Sequence, residues 1–198
     1  MLKKSLMALL AANSLMGTAS WADEQASGVR PFIGAGFTVG GEKIATVSYT
    51  DGTEKSVTAG GLLDLRAGVD YRFANSPVSI QGSIGYHVDD ASAKNGSVRF
   101  SRVPVELLVH YFATESWKIG GGIRQSTGTA LSASGEARVT IRDLKFTSSL
   151  APLIEAEYLV SPKFGVKMRY VNEEYKIENT NSTIDGSHFG VIAMYYFN

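Results

Sequence analysis

From Val57 to Phe73 the chain changes character at every residue. Its odd positions, Val57, Ala59, Gly61, Leu63, Leu65, Ala67, Val69, Tyr71 and Phe73, are all non-polar. The even positions between them carry four charges, on Asp64, Arg66, Asp70 and Arg72. A helix would scatter those charges around its circumference, whereas an extended strand sends the two sets to opposite faces. The run therefore predicts a strand with one wholly apolar face.

The same period recurs along the chain. Val78, Ile80, Gly82, Ile84, Tyr86 and Val88 alternate with Ser79, Gln81, Ser83, Gly85 and His87. Val103, Val105, Leu107, Val109 and Tyr111 oppose Pro104, Glu106, Leu108 and His110. Over 117–124, Trp117, Ile119, Gly121 and Ile123 oppose Lys118, Gly120, Gly122 and Arg124. Over 146–160, Leu150, Ile154, Ala156, Tyr158 and Val160 stand against Ser149, Glu155 and Glu157. Over 164–171, Phe164, Val166, Met168 and Tyr170 stand against Lys167 and Arg169. The last segment, 188–197, sets Phe189, Val191, Ala193, Tyr195 and Phe197 against His188, Gly190, Ile192, Met194 and Tyr196. With a first strand near 31–40, the expected strands number eight.

Period two alone fits either a soluble sandwich, whose apolar face is its core, or a membrane barrel, whose apolar face meets lipid. Three features favour the barrel. The links at 74–77, 113–116 and 161–163 are short, while those near 41–56, 89–97, 125–145 and 178–187 are long, as periplasmic turns and outer loops alternate. The outward aromatics Tyr71, Phe73, Tyr111, Trp117, Tyr158, Phe164, Tyr195 and Phe197 gather at the short-turn ends, as an interfacial girdle would. The strand count is even, and the segments are near the ~9–11 residues that cross a bilayer. The expected fold is all-β: an eight-stranded, antiparallel, up-and-down transmembrane barrel.

The first 22 residues carry Lys3 and Lys4, a short apolar stretch from Leu6 to Ala12 and a small-residue ending, Ser20-Trp21-Ala22. That three-part pattern is expected to be a secretory signal peptide cut after Ala22, leaving 23–198 as one barrel domain. The formal net charge of zero would then be the sum of +2 on the leader and −2 on the mature chain.

Composition removes other classes. The chain has no cysteine, which excludes a disulfide scaffold, a thiol nucleophile, a cysteine zinc site and a lipoprotein anchor. The balance of 19 basic and 19 acidic residues leaves no basic footprint for nucleic acid. The 21 glycines exceed average usage and suit close packing inside a narrow barrel.

Three short segments resemble a known family: Trp117-Lys-Ile-Gly-Gly-Gly-Ile-Arg124, Arg102-Val-Pro-Val105 and Met194-Tyr-Tyr-Phe197. They are similar to the small outer-membrane β-barrels typified by OmpA and OmpX. The resemblance implies a place in the bacterial outer membrane, contact with its lipid and lipopolysaccharide, and a last strand read by the barrel-assembly machinery. It implies a structural or interaction role through external loops, whose ligand it does not name. Members commonly end on an aromatic; here Asn198 follows Phe197.

Inside such a barrel the polar face supplies Arg66, Arg72, Lys118, Arg124, Lys167 and Arg169 against Asp64, Asp70, Glu106, Glu155, Glu157 and Glu173. Six of each sign predict an ion-pair core, since an eight-stranded barrel is just wide enough for side chains to fill. The alternatives are a narrow porin-like channel along these charges, or an enzyme modifying lipid A, for which the family offers precedent. The histidines His87, His110 and His188 fall on three strands without ligand spacing, with His87 near the outer end and His110 near the periplasmic end. They are expected to be separate hydrogen-bonding groups. Ser187 and His188 are adjacent and so point to opposite faces, which disfavours a serine hydrolase. No catalytic residue, cofactor or metal is expected.

Pro104 and Pro152 interrupt strand patterns, where a missing N–H predicts local bulges or positions at which that N–H would face water. Val139 and Ile141 alternate with Arg138, Thr140 and Arg142, so a hairpin above the membrane is the expectation for 126–145. Asp51-Gly52 and Asn95-Gly96 are turn pairs. Asn181-Ser182-Thr183 matches a glycosylation sequon without meaning for an outer-membrane protein.

Overall fold

The computed structural model describes residues 28–48, 54–93 and 96–197. The expected leader, Asp51-Gly52, Asn95 and Asn198 lie outside these residues. In chain order the elements are β1 (Gly28–Gly40), β2 (Lys43–Ser48), β3 (Glu54–Thr58), β4 (Leu62–Arg72), β5 (Val78–Ala93), β6 (Gly96–Phe112) and β7 (Trp117–Gly135). A four-residue helix, α1 (Ala137–Thr140), follows, then β8 (Leu144–Ser148), β9 (Ala151–Ser161), β10 (Phe164–Val171), β11 (Glu174–Ile177), β12 (Thr183–Asp185) and β13 (His188–Tyr196).

Eight of these strands close on themselves. β1 pairs β4, then β5, β6, β7, β9, β10 and β13 follow in turn, every neighbour antiparallel. β13 returns to β1 from Phe32↔Tyr196 to Gly40↔His188, which closes the barrel. Closure leaves the wall without an edge, so each ladder N–H and C=O has a neighbour. Among the described residues no helix is long and apolar enough to cross a membrane.

The two faces are sorted inside out. On β6 the outward Val105, Leu107, Val109 and Tyr111 are 49%, 53%, 53% and 54% exposed, while Glu106, Leu108 and His110 between them are buried. Further up the same strand the inward residues become apolar: Phe100 and Val98 are fully buried, whereas Arg99 between them points outward and is exposed. Glycines make room inside. A Cβ on Gly120 would lie 2.3 Å from the His110 ring, and one on Gly165 would lie 2.3 Å from a Glu157 oxygen.

Several strand boundaries differ from the sequence reading. The run 57–73 is two strands, because the chain turns at Ala59–Gly61, where it crosses the barrel rim. A Cβ on Gly60 would lie 2.7 Å from His188 Cβ and 2.8 Å from the Gly40 backbone, so only glycine fits there. Val57 and Ala59 therefore belong to an outer apolar cluster and not to the barrel wall. The 146–160 segment is likewise two strands, β8 and β9, with a break at Ser149 and Leu150. β7 pairs β9 along 117–124 and then β8 along 129–131. The span 89–97 is mostly ladder: Asp89↔Phe100 through Ala93↔Gly96 remain paired.

Over 126–145 the strand continues to Gly135, but Val139 and Ile141 are not in a ladder. Gly135 leaves the strand at φ 62°, α1 follows, and Val139 is 89% exposed. The Asp143 carboxylate ties this turn down by accepting the Ala133 N–H at 2.9 Å and an Arg138 N–H at 3.1 Å. Two alternating residues were too few to specify a strand against that turn chemistry.

Both prolines sit at irregularities. The β6–β7 register shifts between Ser101 and Val103, beside Pro104. Pro152 is the second residue of β9, next to the break from β8, and points outward. The long loops fold into a lid: β2 pairs β3, β11 joins β8 to β12, and Phe100, Leu131, Phe146, Tyr175 and Val57 form its buried apolar cluster.

A buried charge network as the candidate functional site

Inward positions on six strands bring charged side chains to one axis. Glu106, on β6, is the hub. It accepts hydrogen bonds from Arg66 on β4 at 2.6 Å, Arg169 on β10 at 2.9 Å and Arg124 on β7 at 3.2 Å. Arg66 also reaches Asp64 at 2.6 Å, and Arg124 reaches Glu173 at 3.1 Å. A carboxylate has lone pairs enough for several donors, and the planar guanidinium fork can bridge two partners.

A second group lies toward the short-turn end. Lys167 pairs with Glu155 and stands 3.6 Å from Glu157. Lys118 pairs with Glu157 at 3.2 Å and reaches Asp70 at 4.0 Å. Lys118 also donates to the Tyr196 hydroxyl, which donates onward to Glu157, each at 2.7 Å. Arg169, 3.8 Å from Glu155, links the two groups.

Of the twelve charges named from sequence, eleven meet in these groups and Arg72 does not. Among the described residues Arg72 has no carboxylate within 4 Å. It is half-buried at the end of β4, with its guanidinium 4.0 Å above the Phe112 ring. The alternation placed Arg72 on the right face but too close to the rim to join the core.

Sequence reading missed two cations. Arg30, on β1, pairs with Asp70 at 3.2 Å. Arg102 is fully buried at the outer end of the lumen. Both were legible in principle: Arg102 lies an even number of residues from Glu106 on its strand, and Arg30 an even number from Thr38, which the structure buries inside.

The histidines also need correction. His87 and His188 converge, with ring centroids 5.0 Å apart, because β13 begins at the level where β5 passes the outer rim. His87 Nε2 is 2.7 Å from the Thr38 hydroxyl, and its Nδ1 is 3.1 Å from an Arg124 nitrogen. His110 stands apart, 2.7 Å from Glu155. Ser187 donates to Asn172 at 3.1 Å, while His188 Nδ1 donates to the Gly186 carbonyl at 2.7 Å, so the two do not act on each other.

Aromatic rings close both ends of the network. At the short-turn end, Phe32 and Tyr196 are 5.8 Å apart with Arg30 over the Tyr196 ring at 4.8 Å. At the outer end, Phe100 touches Phe146 and Tyr175, each at 5.4 Å.

On the outside, Tyr71, Phe73, Tyr111, Trp117, Tyr158, Phe164, Tyr195 and Phe197 all face outward at the short-turn end, between 38% and 54% exposed. They form contact pairs: Tyr71 with Phe73, Trp117 with Tyr158, and Tyr195 with Phe197, each at 5.1 Å. A smaller outer set, in which the Tyr170 and Phe189 rings lie tilted to each other at 4.7 Å, was not anticipated.

This wall, apolar outside and charged within, agrees with the comparisons. The family model described as outer membrane protein beta-barrel domain matches residues 6–197. The chain belongs to that family. It is therefore a bacterial outer-membrane barrel, and its outward apolar face meets lipid. Among solved structures it is similar to Ail, the attachment invasion locus protein of Yersinia pestis, at 16% identity and a TM-score of 0.53, covering 86% of this chain and 99% of that one. A second Ail structure, in complex with the heparin analogue sucrose octasulfate, gives 16% identity and a TM-score of 0.51, covering 85% of this chain and 97% of Ail. At that identity the likeness shows the fold. No curated protein matches.

Proposed function

We propose that this outer-membrane barrel is a structural and interaction protein, its lumen closed to ions and its lid the surface that meets other molecules. The observation carrying this reading is the three-guanidinium hub at Glu106, spanning the lumen between two aromatic closures. Moving an ion past it would require separating several buried pairs, and each uncompensated charge left behind costs roughly 3–5 kcal/mol. The lid has an apolar core of its own, so its outer face is an ordered surface of the kind that recognises a partner.

In the same reading the short-turn aromatics anchor the barrel at the periplasmic interface. β13 is the strand offered to the assembly machinery, and residues 1–22 are the export leader. The unlinked Ser187 and His188 favour a non-enzymatic role. Planar-bilayer recording tests the closed lumen: silent membranes are expected, and discrete conductance steps would overturn it in favour of a channel. Mass spectrometry of lipid A from cells with and without the protein tests the rest, with unchanged acylation expected.

A further inference from the structure

Arg102 differs from the other buried cations. Among the described residues it is fully buried and has no carboxylate within 4 Å. One terminal nitrogen donates to the Gly61 carbonyl at 3.2 Å and lies 2.9 Å from His87 Nε2. Its Nε and its other terminal nitrogen are buried without a hydrogen-bonding partner. The guanidinium stands 5.0 Å from the Phe100 ring and 5.8 Å from the Tyr175 ring.

Two further polar atoms nearby lack partners, one a donor and the other, His188 Nε2, an acceptor because Nδ1 carries the proton given to Gly186. The Tyr175 hydroxyl and His188 Nε2 are both buried without partners. Tyr175 neighbours Arg102 directly, its ring 5.8 Å from the guanidinium, and His188 does so through His87, whose ring is 5.0 Å away. Burial pushes the Tyr175 phenol up to about 12, so at neutral pH it is a hydrogen-bond donor. Buried donors are almost always paired, and a buried charge needs a counter-charge.

The surrounding carboxylates are engaged elsewhere. Asp64 holds Arg66 at 2.6 Å, and Glu173 holds Arg124 at 3.1 Å. Asp89 is turned into the lid, where it accepts the Thr58 N–H at 2.8 Å and the Thr58 hydroxyl at 3.0 Å. Arg102 is thus left without a carboxylate in contact, at the seam between lumen and lid.

We propose that this seam is a binding site for one small monovalent anion of halide size, held by the Arg102 guanidinium and the Tyr175 hydroxyl. Monovalence follows from the carboxylates around the guanidinium, since a second negative charge would face Asp64, Glu173 and the buried Asp89. Small size follows from the walls, because Phe100 and Tyr175 are themselves in ring contact at 5.4 Å. A halide accepts hydrogen bonds from any direction and supplies the charge that water cannot.

The test heats the full-length barrel, folded in detergent, in sodium gluconate and in sodium chloride or bromide at equal ionic strength. Unfolding is read by gel shift. Binding to the folded state alone raises the midpoint in a saturable way, so a rise of several degrees with halide is expected. Arg102→Met should abolish the rise, and Tyr175→Phe, which keeps the ring, should weaken it. Equal midpoints in gluconate and halide for the unaltered protein would overturn the proposal. So would a halide response left intact by Tyr175→Phe, which decides the matter should Arg102→Met not fold. Crystals grown in bromide should show an anomalous peak beside Arg102, and its absence would also overturn the site.

Discussion

Glu106 and Arg66, forty residues apart in sequence, meet in the middle of the lumen at 2.6 Å. Two further arginines converge on the same carboxylate, so the hub joins β4, β6, β7 and β10 by side chains as well as by the wall. Deleting one group leaves three cations without their common partner.

Glu106→Ala should therefore destabilise the barrel by about 3–5 kcal/mol, the usual penalty for breaking a buried pair from one side. Urea unfolding in lipid vesicles measures it. Glu106→Gln, which keeps shape and loses charge, should also be destabilised; a neutral result for both would remove the hub from the account of stability.

The outward face gives an opposite kind of expectation. Leu107 is 53% exposed, and at such a position a soluble protein would tolerate arginine. In this barrel Leu107→Arg should cost roughly 2–4 kcal/mol, because the side chain enters hydrocarbon near mid-bilayer. A change under half a kcal/mol in vesicle unfolding would contradict the assigned orientation.

The lid should fail separately from the wall. Phe146 sits in the lid cluster at 5.4 Å from Phe100. Phe146→Ala should loosen the lid by about 3–5 kcal/mol, the typical cost of removing a buried phenylalanine. The expected signature is faster proteolysis within 137–150 while heat-modifiable migration of the barrel persists.

The loop tip carries a pH dependence. The Ala133 N–H and then Arg138 hold the Asp143 carboxyl below its usual range. A carboxyl depressed in the folded state contributes stability above its unfolded pKa of about 4, and that contribution is lost as pH falls through the lower folded value. Hydrogen exchange at the Ala133 amide should accelerate below about pH 4 relative to neighbouring lid amides. Asp143→Asn should remove the pH dependence.

Most of the barrel was legible because a wall with lipid outside and side chains inside writes period two into every strand. The boundaries that were not legible lie where that rule changes. Ala59 and Gly61 extend the alternation of β4 perfectly, yet the chain turns there, with Gly60 packed so close to His188 and Gly40 that a side chain would not fit. Arg72 carries the right periodicity, but its depth along the barrel axis decides whether it pairs, and alternation does not record depth. The convergence of His87 with His188 needed the closure of β13 onto β1, which brings sequence-distant strand ends together.

β6 also reverses its polarity between Phe100 and Arg102. Below that point the inward side chains include the charged Arg102 and Glu106 and the outward ones are oily; above it the inward side chains are oily and the outward ones polar. A single unbroken ribbon thus serves two solvents, and its reversal acts as a waterline inscribed in the chain. Sliding the barrel deeper would bring Arg99 into hydrocarbon, and raising it would lift Val105 into water. The depth at which the protein rides is therefore set by its own strand, before any neighbour or partner in the membrane has a say.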